Sequence, residues 1–115
     1  MSDEVPEGAA VFPLIPAELG VHPLLLAVLH AVVFLDGSDD DIVQPAAAAE
    51  ALEYVAGYLQ RLDGDELRRT REDLTSLVAL ARSEKWPRPM VRFLTDFLKS
   101  YGIGAGGHDP NEPEA

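Results

Sequence analysis

His30 is the side chain whose type most suggests chemistry, an imidazole inside the apolar run Leu24 to Leu35. A ring surrounded by hydrocarbon can have a shifted pKa and serve as an acid or base. Catalysis would also need a group to orient it, and on a helix that group stands three or four residues away. Those positions hold Leu26, Ala27, Val33 and Phe34. The expectation is therefore a buried neutral histidine, hydrogen-bonded to a backbone carbonyl or a tyrosine hydroxyl, because buried polar groups are normally paired. An apolar ligand pocket bordered by His30 is the alternative.

The carboxylates invite a metal reading, and their spacing argues against one. Di-iron bundles need Glu-x-x-His pairs, and none occurs. Counted from Asp39, Glu50 falls at the twelfth position of a calcium loop, yet Val43 stands fifth and Gln44 sixth, where a ligand and a glycine are required. Asp39, Asp40 and Asp41 are instead expected just before a helix N-terminus, each favouring the helix dipole by roughly 0.3–1 kcal/mol. Nucleophilic chemistry is also unsupported. There is no cysteine and no Gly-x-Ser-x-Gly, and the glycines of Gly102 to Gly107 follow no strand and lead to no Lys-Ser/Thr. The expectation is a protein that is not an enzyme and uses no metal or cofactor.

Charge then bounds the partners. All nine Lys and Arg residues fall between Arg61 and Lys99, and residues 1 to 60 hold ten acids and no Lys or Arg. The segments 1–60, 61–99 and 100–115 carry −10, +2 and −3, for a net −11. Phosphate backbones are held by clustered Lys and Arg, so the anionic half speaks against a nucleic-acid partner. The acidic start, Met1-Ser2-Asp3-Glu4, lacks the basic character of a targeting address, and the absence of cysteine suits a reducing cytoplasm. The twelve-residue apolar run is short of the roughly 20 residues that span a bilayer, so no membrane association is expected.

These residues must be positioned by helices. No alternation of apolar and polar residues lasts long enough for a sheet, and no repeat recurs at a solenoid period. Residues 1–15, punctuated by Pro6 and Pro13, read as an extended arm with an apolar middle. Pro16 to Leu19 is expected to form one helical turn stopped by Gly20. Pro23 to Leu35 reads as a helix without a polar face, which needs cover on every side. The arm or a second copy of the chain would supply that cover, so a homodimer is expected.

Pro45 to Leu62 shows the clearest period, with Ala48, Leu52, Val55, Leu59 and Leu62 alternately four and three residues apart. Ala51 and Tyr58 widen that seam, Tyr54 edges it, and Glu50 and Glu53 fall on the polar arc. Gly64 is expected to close this helix, and Asp63 with Glu66 to form a capping box for the next, Asp65 to Lys85. Trp86-Pro87-Arg88-Pro89 separates it from a last helix ending at Gly102, whose stripe includes Met90, Phe93, Phe97 and Tyr101. Residues 103–115, rich in Gly, Pro and acids, are expected to be a disordered tail. The fold class is all-α: an up-and-down four-helix bundle over residues 16–102 with an extended N-terminal arm.

The function this pattern favours is non-enzymatic: a small acidic bundle that binds a basic protein partner, as adaptor, inhibitor or accessory subunit. The contact residues expected are Asp39, Asp40, Asp41, Glu50, Glu53, Tyr54 and Trp86. Trp86 serves equally well as packing over the bundle end, and a boundary tyrosine such as Tyr54 is more often amphipathic packing. A second reading pairs the acids of the first half with Arg68, Arg69, Arg71, Arg88 and Arg92, leaving a structural homodimer. A third, mimicry of a nucleic acid, would need carboxylates at phosphate-like spacing.

Overall fold

The computed structural model describes residues 7–103, and among them every regular element is helical. A 3-10 turn, Ala17–Leu19, precedes four α-helices: α1 (Pro23–Gly37), α2 (Pro45–Leu59), α3 (Gly64–Ser83) and α4 (Arg88–Ser100). The chain is a four-helix bundle in which α1 lies along α2 and α3 along α4. The tail beyond Ile103 and the first six residues lie outside the described residues.

Proline opens three of the helices. Pro23 and Pro45 occupy the first position of α1 and α2, and Pro89 stands in the first turn of α4, where a missing N–H costs nothing. His22 caps α1, its Nδ1 accepting the Leu24 N–H at 3.1 Å. Gly20, at φ 81°, ends the short turn as expected.

The α2–α3 junction differs from expectation. α2 ends at Leu59 rather than Leu62, and Gly64, at φ 54°, opens α3 instead of closing α2. Asp63 does sit at the N-cap of α3, but its side chain makes no cap bond, so the expected capping box is absent. At φ −154° and ψ 175° Asp63 is fully extended, and Asp65 and Glu66 supply the first-turn negative charge instead. α3 ends by placing Lys85 in the left-handed region at φ 57°, with the Trp86 N–H reaching back to the Ala81 carbonyl at 2.9 Å.

The core gathers Leu25, Leu29 and Val32 of α1, Leu74, Leu77 and Ala81 of α3, and Leu94 and Phe97 of α4. Phe12 of the arm completes it, fully buried, its ring edge-on to His30 at 5.2 Å and to Trp86 at 5.8 Å. The arm is held along its length. Asp39 N–H donates to the Gly8 carbonyl at 2.8 Å, and Ala10 N–H donates to Ser38 Oγ at 2.9 Å. Gly37 fits there because a Cβ would stand 3.0 Å from that of Ala10. The proline-punctuated arm is thus one of the covers α1 required. Ile103, grouped with the tail by composition, is buried as well.

The cover is not complete. α1 buries Leu25, Leu29 and Val32 but exposes Leu24, Ala27, Ala31 and Phe34, with Leu24 70% exposed. The expectation that Pro23 to Leu35 is interior on every side fails for this arc within one chain. α2 is more peripheral than its regular seam implied. Only Ala48 is fully buried, Leu52, Val55 and Leu59 are half-buried, and Tyr58 points to solvent instead of widening the seam. Periodicity marks which arc of α2 faces inward, whereas depth depends on how many elements lie beyond it, and α2 has α1 as its main neighbour.

Because Phe12 fills the core, Phe12→Ala is expected to lower unfolding free energy by about 3–5 kcal/mol. Urea denaturation measures this, and a loss under about 1 kcal/mol would show that the arm is not part of the core.

Candidate functional site

α2 presents the expected contact groups together. Glu50, Glu53 and Tyr54 are all exposed on it, and Tyr58, one turn beyond Tyr54, joins them, the two rings 65% and 64% exposed. Two tyrosines four residues apart share one helix face. Ala46, Ala47, Ala49 and Gly57 are also exposed on this helix. Arg61 lies over the Tyr58 ring, its guanidinium carbon 4.9 Å from the centroid. Neither Glu50 nor Glu53 has an ion-pair partner among the described residues.

Asp39, Asp40 and Asp41 are exposed in the turn between α1 and α2. Their placement is not at the helix start itself: Gln44 is the N-cap and the first turn of α2 holds no acid. Asp39 organises the turn through its backbone, its carbonyl accepting from Ile42 N–H at 2.9 Å and Val43 N–H at 3.0 Å. Trp86 belongs to a different element, the α3–α4 junction. It is half-buried, its indole N–H donating to Glu84 Oε1 at 3.3 Å and its ring meeting Phe12.

His30 is half-buried rather than buried, and the bond anticipated for it is missing: no backbone carbonyl or tyrosine hydroxyl lies within hydrogen-bonding reach among the described residues. Its partner is the Phe12 ring. No three His, Asp or Glu side chains gather as a metal-binding group among the described residues.

The structural group that sequence reasoning missed is Asp73, 6% exposed and the one buried charged residue among those described. Its carboxylate accepts from Arg69 Nε at 3.2 Å and from the His22 N–H at 3.0 Å, and Arg69 also donates to the Gly20 carbonyl at 3.1 Å. These bonds fasten α3 to the turn that launches α1. The signal was present: Asp73 lies three and four residues from the half-buried Thr70 and the buried Leu77, on the inner stripe of α3, with Arg69 one turn before it. The other ion pair found, Arg68 with Asp65 at 2.8 Å, is also internal to α3 and solvent-exposed. No acid of residues 7–60 pairs with a base of the second half among the described residues, so the anticipated pairing across the halves is not found.

Tyr101 bridges helices. Its carbonyl accepts from Gln60 Nε2 at 2.8 Å, and its ring lies 5.2 Å from Phe97. Burial, reinforced by the negative charge of Asp36, pushes its phenol above the ordinary tyrosine value, so it stays neutral.

No family model, curated protein or solved structure matches this chain. No helix among the described residues is long and apolar enough to cross a membrane.

Arg69 is half-exposed while Asp73 is not, so losing the arginine strands the buried partner. Arg69→Ala is expected to cost about 2 kcal/mol, discounted for solvation, and adding Asp73→Ala to it should cost less than the two single losses combined. A double-mutant cycle in urea checks this, and strict additivity would remove the coupling.

Proposed function

We propose that this chain is a non-enzymatic interaction protein whose anionic helical surface binds a basic protein partner, as adaptor, inhibitor or accessory subunit. The observation that carries the reading is α2. A helix that buries only Ala48 fully keeps two tyrosines largely exposed beside two glutamates that have no ion-pair partner among the described residues. Large aromatic rings held on a helix offer contact area at low entropic cost, and tyrosine is enriched at interface centres. Glu50, Glu53 and Tyr54 form the contact, and Asp39, Asp40 and Asp41 add to the negative field that steers the partner.

The test compares tagged wild-type chain with a Glu50→Lys, Glu53→Lys, Tyr54→Ala variant in capture from the native host. The expected result is a basic protein retained by the wild type, whose association rate falls about tenfold or more in the variant and declines with salt. Equal retention of that protein by both chains would refute the α2 surface.

The exposed arc of α1 favours a second reading, the homodimer. Leu24, Ala27, Ala31 and Phe34 follow one another at intervals of three, four and three residues, large at both ends and small between. Under a two-fold axis that stripe is self-complementary: Leu24 of one copy meets Phe34 of the other while the alanines let the backbones approach. Sedimentation equilibrium is expected to give a dimer at micromolar concentration and a monomer for Phe34→Glu. A wild-type monomer would exclude this interface without bearing on the α2 surface.

A further inference from the structure

The positive charge of this acidic molecule converges on one place. Between α3 and α4 runs a groove of 720 Å³ whose apolar lining includes Leu74, Leu94, Leu98 and Ile103, with Arg71, Arg82 and Lys99 alongside. It continues into a second groove of 490 Å³ beside Trp86, where Lys85, Arg88 and Arg92 join Arg82. Arg82 and Thr95 line both, so the two adjoin at these side chains.

Of the nine basic residues, Arg61 stacks on Tyr58, Arg68 pairs with Asp65 and Arg69 with Asp73. All six that remain, Arg71, Arg82, Lys85, Arg88, Arg92 and Lys99, line this groove, are exposed, and have no ion-pair partner among the described residues. Asp96 is the one carboxylate in the lining. The described residues include fifteen acids, yet none of them forms an ion pair with these six cations. The hydroxyls of Thr75 and Thr95 are occupied by the carbonyls of Arg71 and Val91, at 3.0 and 2.8 Å, so polar recognition falls to the cations.

The occupant must match both features. A phosphate backbone would engage the cations and leave the leucine and isoleucine surface uncovered. A fatty acid would cover that surface with one charge against six. An amphipathic helix satisfies both, its apolar stripe laid between α3 and α4 and its carboxylates directed at the flanking cations. We propose that the α3–α4 groove is a docking site for an acidic amphipathic helical segment of a partner protein. It is opposite in sign to the α2 surface and independent of it.

The probe is a fluorescein-labelled synthetic helix of about 16 residues with leucine on one face and glutamate on the other. Anisotropy titration of the full chain is expected to give a Kd in the tens of micromolar at about 50 mM salt, weakening about tenfold or more by about 0.5 M. Trp86, the single tryptophan, lines the groove and should change its emission on binding. Arg82→Glu, on an exposed side chain shared by both parts, should cut affinity about tenfold or more without changing the melting temperature.

Should that variant fail to fold, Lys99→Glu at the other end serves the same purpose. The same peptide with lysine for glutamate, or with its order scrambled, should not bind. Neutralising the chain's own tail with Asp109→Asn, Glu112→Gln and Glu114→Gln should leave affinity within about twofold, since the tail lacks large apolar residues to seat in the groove. Equal binding of the lysine peptide or the scramble, preference for duplex DNA or dodecanoate over the helix, or a rise of tenfold on neutralising the tail would each overturn the proposal.

Discussion

A buried carboxylate holds the two halves of this molecule in register. Asp73 projects from the inner stripe of α3 into a site where water is nearly excluded, and there it receives the first free amide ahead of α1. Removing a charge from water is costly unless partners replace the hydration, so the position is tolerable only while Arg69 and His22 stay in place. Apolar contacts would allow α1 to slide along α3 by a fraction of a turn, but a hydrogen-bonded charge does not. The arm follows from the same constraint. With the start of α1 fixed by Asp73 and its end tied back through Ser38 and Asp39, the chain before it is laid beside α1, and Phe12 enters the core.

That arrangement sorts the charges. α1 and α2, from the half without bases, lie together, and α3 and α4, from the half with all the bases, lie together. The halves do not neutralise each other through ion pairs among the described residues. An acidic face around α2 and a basic groove between α3 and α4 therefore coexist on one small bundle. Surfaces of opposite sign attract different partners and repel the wrong ones, and such selectivity is what charge supplies at an interface more than affinity.

The composition of α1 shows how far a sequence pattern reaches. A helix apolar on every side declares that it wants cover without saying how much one chain will provide. The arm and the core take one arc, and the arc from Leu24 to Phe34 is left to solvent. α2 shows the complementary case, in which a regular seam gave the correct inward arc while the depth of burial came out shallow. Tyr58 was misplaced for that reason, since an aromatic at a seam edge packs inward only where a further element is present to receive it.

By itself the sequence determined the all-α class, the four helices to within a few residues, the turn closed by Gly20, and the separation of charge, because proline, glycine and hydrophobic period act over one or two turns of chain. It also placed Glu50 and Glu53 on the outer arc of one helix, with Tyr54 at the edge of its apolar seam. The tertiary structure alone decided that Phe12 enters the core, that Asp73 is buried between Arg69 and His22, that His30 meets the Phe12 ring, and that six cations line adjoining grooves. Each of these joins separate elements, and their meeting is fixed by how helices pack, which no local spacing encodes.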